Sequence, residues 1–124
     1  MDHKLDSFTV GYIEAMLWTH GSDDSDGEFS GKGFDDISPE TFQAMIQDCK
    51  RFQTLHGYLW KDIDDYSDGE AGHDFALTRN HHGSGFWDRE ELSTEIGGSL
   101  SQASYKKGEY NLYVGDDRLI YGGL

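Results

Sequence analysis

The chain has 124 residues, with 24 Asp and Glu against 10 Lys and Arg, a formal net charge of −14. That length fits one domain able to bury a core without disulfides or metals, and the 14% aromatic content excludes a disordered acidic tail. The charge argues against direct contact with nucleic acid or anionic membranes and favours basic protein surfaces.

Residues 1–72 carry 16 acids and 5 bases, whereas residues 73–124 carry 8 and 5. The first part reads as an acidic helical half with a loop at 21–37, and the second as a half built from hairpins and one helix. Cys49 is the only cysteine, so a reducing compartment is expected. No apolar run approaches the ~20 residues of a membrane span. The first residues lack the basic and apolar pattern of a signal peptide. The expected location is the cytoplasm.

In chain order, Leu5, Phe8, Tyr12, Ile13, Met16 and Leu17 recur at helical spacing. Asp6 or Ser7 can cap this helix and Gly21 can end it, giving a span of about 7–20. Residues 21–37 are rich in Gly, Ser and Asp and read as a long loop. Ser38-Pro39-Glu40 is a helix start. The apolar stripe then runs through Phe42, Met45, Ile46, Cys49, Phe52, Leu55, Leu59 and Ile63. It predicts one helix to about residue 66, or two meeting near Gly57, with Ser67-Asp68-Gly69 as the stop.

His73 to Arg79 reads as a strand, Asn80 to Gly85 as a turn, and Gly85-Phe86-Trp87 as the returning strand. Asp88 with Glu91 has the spacing of a capping box. Leu92, Ile96, Leu100 and Ala103 then mark a third helix, weakened by Gly97-Gly98. Tyr110, Leu112 and Val114 alternate before Gly115-Asp116-Asp117, and Leu119-Ile120-Tyr121 returns as a C-terminal hairpin. The expected fold is a small single-domain α+β protein ordered α-α-β-β-α-β-β, its two hairpins forming a small antiparallel sheet against helices.

The run from His73 to Arg89, with Asn111-Leu112-Tyr113-Val114-Gly115-Asp116-Asp117 and Leu119-Ile120-Tyr121, resembles a family of small acidic proteins of tailed bacteriophages and prophages. The likeness covers most of the chain and is sharpest over residues 73–89. The family usually has an aromatic where this chain has Ala76, and Gly where it has His81. The resemblance implies a mobile-element setting and carries no chemistry of its own.

The acidic surface is the first candidate site. A DNA duplex about 25 Å long carries about 15 phosphate charges, close to this chain's net charge. On a helix, Asp62 and Asp65, and Asp64 and Asp68, would stand as like-charged neighbours about 5–6 Å apart. The expected contact set is Asp23, Asp24, Asp26, Glu28, Asp35, Asp36, Asp62, Asp64, Asp65, Asp68 and Glu70. These acids would replace phosphates on a host DNA-binding or anti-phage defence protein, which is inhibition by DNA mimicry. The bland reading of the same acids is solubility or salt adaptation.

The histidine segment is the second candidate. His73 and Asp74 could meet His81 or His82 across a hairpin as an acid/base group, and Arg79 could pair with Asp74 or Asp88. No metal-ligand spacing fits, and neither Asp-rich loop supplies the final bidentate Glu of a calcium loop. No catalytic residue, metal or cofactor is expected. The alternative to mimicry is a phage structural, assembly or regulatory protein acting through segment 73–89. Cys49 reads as a buried small hydrophobe, and Trp18, Trp60 and Trp87 as core. A homodimer is compatible with either reading and would double the acidic surface.

Overall fold

The computed structural model describes residues 5–22, 29 and 31–123. Asp23, Asp24, Asp26 and Glu28 of the expected contact set lie outside the described residues. Among the described residues four α-helices precede one hairpin: α1 (Ser7–Ser22), α2 (Pro39–His56), α3 (Asp68–Arg79), α4 (Thr94–Lys107), β1 (Asn111–Val114) and β2 (Ile120–Gly123). Single 3₁₀ turns occur at Phe34–Asp36, Gly57–Leu59 and Phe86–Asp88. The fold is therefore mixed α+β, as the sequence implied, but helix-rich and with one hairpin in place of two.

Two helix starts follow the sequence. Asp6 Oδ1 accepts the Thr9 N–H at 2.8 Å and caps α1. Ser38 Oγ accepts the Thr41 N–H, with Pro39 in the first turn of α2.

Three expectations are overturned. First, α2 ends at His56, and residues 60–65 form turns rather than a continued or second helix. Leu59 and Ile63 still pack on the core, but from turns. Asp62, Asp64 and Asp65 therefore form no helical ladder with Asp68.

Second, residues 73–79 are helical. Ser67 starts this helix instead of ending one: its Oγ accepts the Glu70 N–H at 3.1 Å, and Glu70 Oε1 accepts the Ser67 N–H at 2.9 Å. This reciprocal cap opens α3. Residues Asp74 to Arg79 are all buried, so the helix has no polar face to give a period. Third, residues 86–88 make a 3₁₀ turn, not a strand. Asp88 Oδ1 accepts the Gly85 N–H there. The cap of α4 is Ser93, whose hydroxyl accepts the Ile96 N–H at 3.1 Å.

The core is aromatic. Phe52 and Phe75 stack with centroids 4.1 Å apart, Phe8 stacks on Trp60 at 5.6 Å, and Phe86 lies 6.0 Å from Phe52. Offset aromatic pairs contribute about 0.5–1.5 kcal/mol each beyond area burial. Trp60 is buried and its indole N–H donates to Asp68. Trp18 and Trp87, expected in the core, are 58% and 52% exposed.

Helices α1 and α3 run in the same sense: Phe8 abuts Gly72, Tyr12 meets Phe75 and Arg79, and Met16 meets Asn80. They approach backbone to backbone. A Cβ on Gly72 would lie 2.7 Å from the Phe8 carbonyl carbon, and one on Gly11 3.0 Å from the Gly69 carbonyl carbon. Only glycine fits there.

Arg79 fixes the far end of this pair. It is 2% exposed and donates to Asp48 Oδ2 (3.0 Å), the Tyr12 hydroxyl (2.9 Å) and the carbonyls of Gly108 (2.8 Å) and Lys107 (3.2 Å). Its partner is thus Asp48, not Asp74 or Asp88. One side chain joins all four helices, reaching α4 through its last residue and its C-cap Gly108.

Both sides of the hairpin are partly covered. Asn80 exchanges two hydrogen bonds with the Tyr110 backbone, and His20 Nε2 accepts the Leu112 N–H at 3.1 Å. On the other side Ile37 bridges to Ile120 and the Ser38 N–H donates to the Ile120 carbonyl. Side chains and a loop thus occupy groups that would otherwise invite another strand. Among the described residues, no helix is long and apolar enough to cross a membrane.

Candidate functional site

A cleft of 610 Å³ lies between the N-terminal halves of α1 and α3. Leu5 and Val10 give it an apolar wall, Glu14, Glu70, Asp74 and Arg89 supply its charges, and His73 adds an imidazole. The glycine contact explains the shape, because the helices touch along Gly11 and Gly72 while longer side chains rise on either side.

The floor is a closed polar network. Asp74 is 1% exposed and takes the Arg89 fork, with Nη2 to Oδ1 at 2.6 Å and Nε at 3.0 Å from both oxygens. The Tyr66 hydroxyl donates to Asp74 Oδ2 at 2.6 Å. His73 Nδ1 stands 3.6 Å from Oδ1, an ion-pair separation too long for a good hydrogen bond. Burial by itself would raise the Asp74 carboxyl; His73, Arg89 and Tyr66 outweigh it and hold the group below the usual carboxylate range. Burial, and then the adjacent Asp74 charge, push the Tyr66 hydroxyl far up. Both Asp74 oxygens are thus committed, and the network is a rigid floor rather than a poised base.

The rim is open. Glu14 is exposed, and Trp18, one turn further along α1, stacks against His73 (6.5 Å) and meets His82 at a tilt (6.1 Å). The histidines therefore do not converge. His73 faces the cleft, His82 stands beside Trp18, and His81 turns away to stack on Tyr105 at 4.8 Å with φ 55°. Among the described residues no group of three His, Cys, Asp or Glu side chains could hold a metal ion. Cys49 is fully buried and its thiol is raised first by burial, as expected of a packing residue.

The seven described acids of the expected contact set divide into two groups. Asp36 accepts the Gly33 N–H, Asp68 accepts the Trp60 indole and pairs with Lys61, and Glu70 caps α3. These three have structural work. Asp35, Asp62, Asp64 and Asp65 are exposed and carry no hydrogen bond or ion pair among the described residues. Asp35 borders a second, mostly apolar groove of 450 Å³ formed by Phe34, Ile37, Pro39 and Phe42.

Two of the arginines are spent on pairs with buried or partly buried acids. Arg79 pairs with Asp48 and Arg89 with Asp74. Taking those two pairs from 24 acids and 10 bases leaves 22 against 8 for the rest of the chain. The sequence did not reveal Glu14 in the cleft wall, Tyr66 behind Asp74 or Trp18 beside His73. The available signal was Ser67 with Glu70, whose capping-box spacing marks the start of α3.

No protein-family model matches the chain, and no significant match is found among curated proteins or solved structures.

Proposed function

We propose that this chain is a binding protein whose acidic surface engages a basic, DNA-binding protein, in the form expected from sequence: an inhibitor that takes the place of DNA. One observation carries the reading. Arg79 and Arg89 are spent on pairs with Asp48 and Asp74, while Asp35, Asp62, Asp64 and Asp65, with Glu14 at the cleft rim, are exposed and have no hydrogen bond or ion pair among the described residues. Fixed, unneutralised carboxylates on a folded body attract Lys and Arg over several Å and speed encounter. The cleft offers a seat for one cationic side chain, with Glu14 and Glu70 at its mouth and Trp18 beside it. The likeness of segment 73–89 to phage proteins fits a host DNA-binding or defence protein as partner.

The test is capture of bacterial lysate proteins on the immobilised chain at low salt, eluted by salt or by duplex DNA and identified by mass spectrometry. DNA-binding enzymes released by both eluents are the expected result. Proteins that salt and DNA leave in place would refute mimicry. They would favour a second reading, in which the exposed Trp18, His82 and Trp87 form an apolar contact for an assembly or regulatory partner.

A further inference from the structure

One face departs from the acidity of the chain. Residues 41–61 contain a single acid, Asp48, where the average density of 24 in 124 would give about four. Asp48 is turned inward onto Arg79 and Lys107. The outer face of α2 and the turn after it instead present Gln47, Lys50, Arg51, Thr54, Leu55 and Tyr58, all exposed. Leu55 is 59% exposed and Tyr58, at 75%, is the most exposed of the large hydrophobic side chains. Lys106 of α4 borders this face: after burial, its charge lowers the pKa of His56. Exposed apolar groups rimmed by polar ones mark interaction surfaces.

We propose that this face joins two copies of the chain as a two-fold symmetric dimer. Charge selects the occupant. Two bodies of −14 each repel over most orientations, and the α2 face is where they meet without opposing acids. Such a contact is closed and self-complementary, with Leu55 and Tyr58 as its apolar anchors. It leaves the clefts and the carboxylates of Asp35, Asp62 and Asp64 free on both copies.

This inference stands apart from the partner reading, because salt acts oppositely on the two. Screening weakens contact with a basic partner but tightens association of two acidic copies. The test is sedimentation velocity of the full chain across micromolar concentrations at low and high salt. The expected result is a species of twice the 14.0 kDa chain mass that grows with concentration and salt. Leu55→Asp with Tyr58→Asp is expected to give monomer with an unchanged circular dichroism spectrum. Arg51→Glu, which places an acid on the face without touching the core, is expected to do the same. Tyr113→Asp, at another exposed aromatic, is expected to leave the dimer intact. A monomeric wild-type chain at every concentration and salt would overturn the proposal, as would a dimer that survives these α2 substitutions.

Discussion

Replacing glycine by alanine inside a helix normally stabilises it by about 1 kcal/mol. At Gly72 the sign is expected to reverse. The added Cβ would stand 2.7 Å from the Phe8 carbonyl carbon, against about 3.5–4.0 Å for a comfortable carbon contact. Helix α3 would have to retreat from α1 by about 1 Å, and a gap of that size forfeits a quarter to a half of the dispersion energy across it. Overpacking of this kind costs about 1–3 kcal/mol, with backbone contacts at the upper end. For a chain of this length, 3 kcal/mol lowers Tm by about 12 °C. Gly98 supplies the control, since it lies within α4 and a Cβ there meets nothing within 4 Å. Gly98→Ala is expected to raise Tm by about 4 °C. Thermal unfolding followed by far-UV circular dichroism reads both. A Gly72→Ala chain as stable as wild type would refute the close approach of α1 and α3, and with it the origin of the cleft.

Other substitutions separate the remaining contacts. Arg79→Lys keeps the charge but loses the fork that reaches Asp48, Tyr12 and two carbonyls, and is expected to cost about 3 kcal/mol in urea unfolding. Asp74 is held below its usual range, so it stabilises the fold above about pH 4. That contribution is lost as pH falls through the lower folded value. Asp74→Asn is therefore expected to lower stability at pH 7 and to flatten the acid limb of a stability–pH curve. Ser101 Oγ is buried without a hydrogen-bond partner among the described residues, so Ser101→Ala should raise urea stability by about 1 kcal/mol. Arg118 holds φ 70° in the hairpin turn, and Arg118→Gly should relieve up to about 1 kcal/mol of left-handed backbone cost.

Local chemistry made α1, the Ser38-Pro39 start of α2, the buried Cys49 and the C-terminal hairpin legible in the sequence. Each rests on neighbours within a few residues. Helix α3 was hidden because Asp74 and Arg79 are buried along with Phe75 and Leu77, which erases the polar face that gives a helix its period. Gly69 reads as part of a helix stop and instead, with Gly72, serves contact with α1. Asp88 and Glu91 had capping-box spacing, but Asp88 closes a 3₁₀ turn and Ser93 caps the helix. Leu59 and Ile63 kept the helical period of α2 after the helix had ended. The site was legible as charge and not as shape. The pairs Arg79–Asp48 and Arg89–Asp74 join residues far apart in sequence, and they decide which acids remain free. Exposure of Trp18 and Trp87 follows from tertiary packing, which a local pattern does not carry.

In the proposed function, free surface carboxylates bind a basic partner. Lysine at Glu14, Asp35, Asp62 and Asp64 moves the net charge from −14 to −6, two units per site, without touching a hydrogen bond among the described residues. Asp65 is left in place because it holds a left-handed backbone at φ 64°. The decisive measurement compares capture of DNA-binding proteins by the wild-type and four-lysine chains at one low salt concentration, after thermal unfolding has shown that both fold. Retention by the wild type and loss by the variant is the result this account requires. Equal retention by both would contradict it, and would leave the acidity as a feature of solubility.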